Sequence, residues 1–323
     1  MCLYAQRVAI SNLAKQLLSL WIISLIYLPL GAQESFMVVE AHSGKIFAAQ
    51  NSTVKRPVAS LTKICTGVIA TDWALATKQD LKKVMATVPD SVTRLGGANP
   101  LNLQPGQQIS LSDALYAALL GSDNIAAMTV ADHIGRDINN RRGKNDDPVW
   151  AFVKEMHELC RVLGMRNTRF LNPHGLELPK QQGFSTAADM AKLAIYAMRR
   201  PAFAFFVRQK SRTISVAGRS YVINNTNQLV GEQGILGIKT GQTAPAGPCL
   251  ATSMDKDPVI RAKVDGTKGA TPRRMVVVLL NSPDRFERTR SLLQTGWSQY
   301  DNWLDAGALV QDRNREILPV PKF

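Results

Sequence analysis

The sequence predicts an α+β fold, with strands contributed by the two ends of the chain and helices by its middle. Three observations carry this. A strand–turn–strand signal stands near residue 40, and apolar residues recur at helical spacing from about residue 60 to 200. Three strand-like apolar runs then fall between residues 235 and 280.

The chain opens on a basic segment holding Arg7 and Lys15 and no acid, followed by the apolar run Leu17–Leu30 and the small-residue end Gly31-Ala32. This is the pattern of a secretory leader, residues 1–32, with cleavage expected after Ala32; a retained anchor is the alternative. Its removal lowers the formal net charge of +14 by two. A basic protein outside the cytoplasm suits peripheral contact with anionic wall or membrane surfaces, and a merely solvated basic face has equal weight. No nucleic-acid module accompanies the charge. Cys65, Cys160 and Cys249 form an odd set in apolar surroundings, expected as buried small hydrophobes rather than a disulfide framework. His42, His133, His157 and His174 lack metal-ligand spacing, and no phosphate-binding glycine pattern is present, so neither metal nor cofactor is expected.

Phe36–Glu40 and Ile46–Ala49 are strands joined by a turn at Ser43-Gly44-Lys45. Pro57 then fixes an extended entry to a helix whose apolar face is Ile64, Val68, Ile69 and Trp73. Lys-rich residues 78–83 and a loop around Arg94–Pro100 lead to a helix over Leu111–Leu120, introduced by Ser110 or Ser112. Gly121-Ser122-Asp123-Asn124 is a turn into the next helix. A charged loop at 136–147 precedes a helix through Phe152, Met156 and Cys160. Thr186-Ala187-Ala188-Asp189 has the form of a capping box. Ile214–Ile223 alternates about Gly218 as a small hairpin. Ile235–Gly241, Cys249–Ala251 and Met275–Leu280 are the closing strands, with residues 254–274 expected as a long basic loop. Arg285–Trp297 is a final helix and Ala306–Phe323 a short tail.

Ser60 stands at the first turn of the first helix, with Lys63 one turn further on the same side. A hydroxyl needs a base to become a nucleophile, and a buried lysine can serve. The helix start adds N–H groups suited to an oxyanion. Ser-x-x-Lys is a common string, and Ser52–Lys55 and Ser253–Lys256 repeat it, but neither leads an apolar helix. Ser122 and Asn124 lie where short polar side chains can face a cleft: Ser122 to relay a proton, Asn124 to hold an amide. A plain helix cap is the simpler reading of that pair alone. Lys239-Thr240-Gly241 occurs once, on a strand, where a lysine beside a hydroxyl suits a carboxylate and Gly241 admits a substrate backbone.

Together Ser60-x-x-Lys63, Ser122-Asp123-Asn124 and Lys239-Thr240-Gly241 resemble the penicillin-binding proteins and class A β-lactamases. Pro57–Lys63, Leu163–Leu176, Ser185–Met190, Asn225–Asn227, Lys239–Thr243, Arg285-Phe286 and Gly296-Trp297 extend the likeness from about residue 34 to 303. They make it most similar to the low-molecular-mass D-alanyl-D-alanine carboxypeptidases, a serine peptidase family that includes D,D-endopeptidases. The resemblance implies an α/β/α sandwich: an antiparallel sheet flanked by helices, with a helical lobe at roughly 80–230 inserted into a catalytic domain over 33–303. The tail at 304–323 is expected to hold no second β-domain. It implies Ser60 as nucleophile, Lys63 as acylation base and Ser122 as proton relay. Asn124, Lys239, Thr240 and Gly241 would bind substrate with Arg285 as helper, and the N–H groups of Ser60 and Gln242 would form the oxyanion hole. Removal of the terminal D-Ala of a peptidoglycan stem peptide is the implied reaction, cross-link cleavage the alternative, and β-lactams the covalent inhibitors. A periplasmic or wall-associated place follows. A β-lactamase is disfavoured because Thr168-Arg169-Phe170 precedes Leu171-Asn172 where those enzymes have Glu-x-x. An inactive wall-binding homologue would need a lost catalytic residue, and none is lost.

Overall fold

The computed structural model describes residues 34–178, 181–262 and 267–321; the expected leader, residues 1–32, lies outside them. The strands are β1 (Ser35–Glu40), β2 (Ile46–Gln50), β3 (Met85–Thr87), β4 (Gln108–Ser110), β5 (Ser211–Val216), β6 (Arg219–Asn224), β7 (Ile235–Thr243), β8 (Gly247–Ala262) and β9 (Lys268–Leu280). The helices are α1 (Thr62–Thr77), α2 (Leu111–Leu119), α3 (Asn124–Arg142), α4 (Pro148–Val162), α5 (Ala187–Met198), α6 (Pro201–Val207), α7 (Arg285–Asp305) and α8 (Arg313–Glu316).

The main sheet has the order β2-β1-β9-β8-β7, with every pairing antiparallel. β1 and the Met275–Leu280 half of β9 are largely apolar without alternation because both of their faces are covered. Met37, Val39, Val276, Val278 and Leu280 meet the helices of the larger core. Phe36, Val38, Met275, Val277 and Leu279 meet Leu292, Leu293, Trp297 and Tyr300 of α7. The result is three layers, α/β/α, as the family resemblance implies. α7 lies close on β1 because residue 296 is glycine: a Cβ there would stand 2.8 Å from Val38 Cγ1.

α1 is buried on all sides from Thr62 to Thr71, more than the single apolar face expected of it. Its polar residues are satisfied there. Thr66 donates to Pro173 O at 2.6 Å, and Thr71 to the carbonyls of Gly67 and Val68.

Several local expectations are corrected. Residues 254–274 are mostly strand: β8 and β9 run on as a hairpin, pairing Asp255 with Arg274 and Lys256 with Arg273 across it. Asp255 and Arg274 pair their charges across the strands (Arg274 Nε to Asp255 Oδ1 is 2.6 Å), the like-charged Lys256 and Arg273 both reach Asp301 of α7, and Pro258 sits in a bulge between Lys256 and Val259. Ser253 is thus a buried strand residue. The stretch before α2 holds the β3–β4 pair and a 3-10 turn, Asp90–Arg94. Thr186 caps α5 by accepting from Asp189 N at 3.0 Å. The Asp189 carboxylate does not reach back; it accepts from Asn167 N and Thr168 Oγ1 instead. The segment after α7 packs against the first hairpin, with Leu318 N donating to Gly44 O and Lys45 paired with Glu316.

Candidate active site

Ser60 lies in a 3-10 turn, Ala59–Leu61, that runs straight into α1. Ala59 has φ +46°, in the left-handed region that a side chain disfavours, so the residue before the serine carries backbone strain. The loop after Asn172 presses on this turn. Gly175, at φ +89°, leaves no room for a Cβ, which would lie 2.0 Å from Ala59 O.

Lys63 is wholly buried, and its Nζ reaches three oxygens: Ser60 Oγ at 2.9 Å, Asn124 Oδ1 at 2.7 Å and His174 O at 2.9 Å. Burial pulls its pKa down to about 7, against an opposing pull from Asp123. A neutral amine has two hydrogens and one lone pair. With Asn124 Oδ1 and His174 O taking the hydrogens, the lone pair is left for the Ser60 hydroxyl. The geometry therefore aims a base at a nucleophile.

The turn Gly121–Asp123 joins α2 to α3. Ser122 is half-buried with φ +63°, and Asn124 begins α3. The cap of that helix is Asp123, whose Oδ1 accepts from Ala126 N at 2.9 Å. Asn124 is freed from capping and turns to Lys63, which decides against the plain-cap reading of Asn124. Thr226, just after β6, ties this turn to the sheet by donating to Leu120 O at 3.1 Å and meeting Thr240 Oγ1 at 2.6 Å.

β7 is an edge strand, and its free side faces the Ser60 turn. A Cβ on Gly241 would lie 3.0–3.2 Å from Val58 O, Ser60 N and Leu61 N, so a bare backbone is what allows this approach. Lys239 is buried, donates to Thr240 O at 3.0 Å, and has its pKa pulled far down by burial, by Lys63 and by Arg285. Arg285, at the start of α7, donates to Gly241 O at 2.9 Å and braces the strand from behind. Gln242 is exposed at the end of the same edge. The rim is closed by Thr243 Oγ1, which donates to Glu177 Oε1 at 2.6 Å.

Three stretches separated by some sixty and more than a hundred residues thus converge. The sequence reading did not single out the His174 main-chain carbonyl, Asp123, Thr226 or Glu177. His174 is itself buried and kept neutral, its pKa lowered to about 3 by burial and by Lys63. Asn172 shapes this loop by accepting from the N–H groups of His174 and Gly175, and Asn-Pro-His-Gly is the signal that could have marked it. Among the described residues no group of His, Cys, Asp or Glu converges as a metal site. The cleft presents basic groups and hydroxyls around a serine–lysine pair, which is a setting for acyl transfer on a substrate with a carboxylate end.

Comparison with known proteins gives the same direction. The family model described as D-alanyl-D-alanine carboxypeptidase, peptidase S11, matches residues 29–265. The D-alanyl-D-alanine endopeptidase of Pseudomonas aeruginosa is 31% identical over 234 residues, covering 71% of this chain and 69% of that protein. The D-alanyl-D-alanine carboxypeptidase DacA of Escherichia coli (strain K12) is 29% identical over 233 residues, 68% of this chain and 52% of that one. Among solved structures, penicillin-binding protein D2 from Listeria monocytogenes in its ampicillin-bound form superposes with a TM-score of 0.65 at 24% identity. That match covers 81% of this chain and 96% of the other, and establishes the fold.

Proposed function

This chain belongs to the S11 family of serine D-alanyl-D-alanine peptidases, and on that premise we propose that it cleaves D-alanyl amide bonds in peptidoglycan through an acyl-enzyme on Ser60. The observation that carries the reading is the buried Lys63 amine at 2.9 Å from Ser60 Oγ, with two carbonyl oxygens claiming its hydrogens. Lys63 takes the Ser60 proton as Oγ attacks the D-Ala carbonyl. The N–H groups of Ser60 and Gln242, one at a helix start and one on the open edge of β7, receive the oxyanion. Ser122 hands a proton to the leaving amine, and Asn124 orients the acyl chain. The substrate carboxylate sits by Thr240 and Lys239 and supplies the counter-ion that Lys239 lacks, with Arg285 holding the strand in place. Water then frees the acyl group.

Within that chemistry, we assign cleavage of cross-links as the leading activity. It is supported by the likeness to the endopeptidase relative, which at 31% is slightly higher in identity than the likeness to the carboxypeptidase. Trimming of the terminal D-Ala is the second reading, supported by the description of the matching family. Work of this kind belongs outside the cytoplasmic membrane, as the leader sequence suggests. Penicillins would acylate Ser60 and leave slowly, because Thr168 stands where class A β-lactamases have the water-activating glutamate, and the Glu177 carboxylate is engaged by Thr243 at the rim.

The test has two arms. Fluorescent penicillin should label the protein covalently and leave Ser60→Ala unlabelled; labelling of that variant at the same site overturns the assignment of the nucleophile. Purified protein given a cross-linked muropeptide dimer and a pentapeptide monomer should convert dimer to monomers. Release of D-Ala from the monomer with no action on the dimer would instead select the carboxypeptidase reading.

A further inference from the structure

We propose that Asp123 is a positioning residue whose buried carboxylate acts on Lys63 across the turn and so fixes the range of pH over which Ser60 has a working base. This rests on the function assigned above to Ser60 and Lys63. The argument begins with a mismatch between role and residue. Asp123 is fully buried and caps α3, with Oδ1 accepting from Ala126 N at 2.9 Å and its own N–H donating to Ala117 O at 3.0 Å. Asn or Ser would cap a helix equally well. Neither would bring a charge into the interior, where an ionised carboxylate is costly unless something answers it.

The answer lies one residue on. Asn124 Oδ1 is 2.7 Å from Lys63 Nζ, so the turn that carries Asp123 is also the wall of the lysine pocket. The atoms that Nζ touches, Ser60 Oγ, Asn124 Oδ1 and His174 O, are all uncharged. The titratable groups near it from other elements are basic, not acidic: Lys239 on β7, its pKa held far down by burial, with Arg285 of α7 behind it. His174, on the loop, is neutral. The carboxylate that opposes burial of the Lys63 charge is Asp123. Burial pushes the Asp123 carboxyl up, while the N–H groups of Ala126, Leu101 and Ile125, the start of α3 and Lys63 pull it back down. It faces Lys63 across the turn with no contact ion pair that would draw the amine off the serine.

The experiment compares the unaltered protein with Asp123→Asn and Asp123→Ser, which keep a cap and remove the charge. The rate of covalent labelling by fluorescent penicillin is followed from pH 4.5 to 9, and each profile is normalised to its own plateau. With the anion gone, Lys63 should lose its proton more readily, and the acid limb should move to lower pH by about one unit. A limb that stays in place in folded variants overturns the proposal, since a residue that only caps a helix would change stability and leave the midpoint alone. Should both variants fail to fold, the carboxyl carbon resonance of Asp123 in the unaltered protein decides. It should step at the midpoint of the acid limb, and a flat response there overturns the proposal. Failure of the unaltered protein to label at any pH would sink the assignment of Ser60 and Lys63 instead, a distinct outcome.

Discussion

At Lys63 catalysis and stability pull in opposite directions, and the sign of each can be worked out. A base must be unprotonated, and Lys63 has its pKa lowered to about 7. Acylation of Ser60 should therefore level off above pH 7 and fall about tenfold per pH unit below it. In the unfolded chain the same amine keeps its proton up to about pH 10.4. Between those values the unfolded state binds a proton that the folded state does not. Stability drawn from this residue thus declines as pH drops from about 10 to 7, by up to about 1.4 kcal/mol per unit, and is constant below that. Lys63→Met removes the titration. Its stability relative to the parent, read from urea unfolding, should improve as pH is lowered from 10 to 7 and then stay level. A difference independent of pH would mean that Lys63 is charged in the folded cleft. The variant should be inactive throughout, as expected where a functional group is held against the preference of its surroundings.

At the scale of single elements, the edge strand β7 makes the sharpest demand on sequence. Gly241 lets the strand run beside the serine turn, and Gly241→Ala would put a methyl carbon 3.0–3.2 Å from three backbone atoms that cannot swing aside. The strand would have to retreat from Ser60, and an oxyanion pocket built from both would open. A fall of about 100-fold in acylation rate is expected, comparable to loss of an oxyanion donor, with the urea midpoint little changed because the edge faces the cleft. Loss of folding without a specific loss of rate per folded molecule would refute this. The element scale also shows what the sequence made legible. Ser60, Lys63, Asn124, Lys239 and Gly241 could be picked out because the roles proposed for them rest on their side chains, or on the lack of one. The His174 carbonyl could not, since every residue has one and only the loop's path aims it at Lys63. Asp123 was read past because an acid beside a turn is ordinary until its burial is known. The β8–β9 hairpin looked like a loop because its charges are answered by distant residues, Arg274 by Asp255 across the strands and Lys256 and Arg273 by Asp301 of α7, and that pattern is visible only once the partners are known.

Over the whole molecule, the cleft depends on a sheet whose two faces are gripped by different helices. α1 delivers Ser60 and Lys63 from one side, while α7 on the other side begins at Arg285 and is seated on β1 at Gly296. Eleven residues of helix, roughly 16 Å, connect that seat to the guanidinium that braces Gly241. Val38 is stiff and fully buried, so a side chain added at position 296, 2.8 Å from it at the first carbon, must push the helix rather than the strand. Gly296→Val should cost about 1–3 kcal/mol in urea unfolding, the usual penalty for an overfilled core. Its more telling effect should appear at the far end of α7. As Arg285 shifts, the carboxylate end of the cleft loosens, so KM for carboxylate-ended peptides rises several-fold while the pH midpoint of Ser60 acylation, set on the α1 side, stays where it was. A change in midpoint with no change in KM would reverse this division. The serine–lysine pair would then be the part that α7 governs, and the two flanks of the sheet would not contribute separable halves of the site.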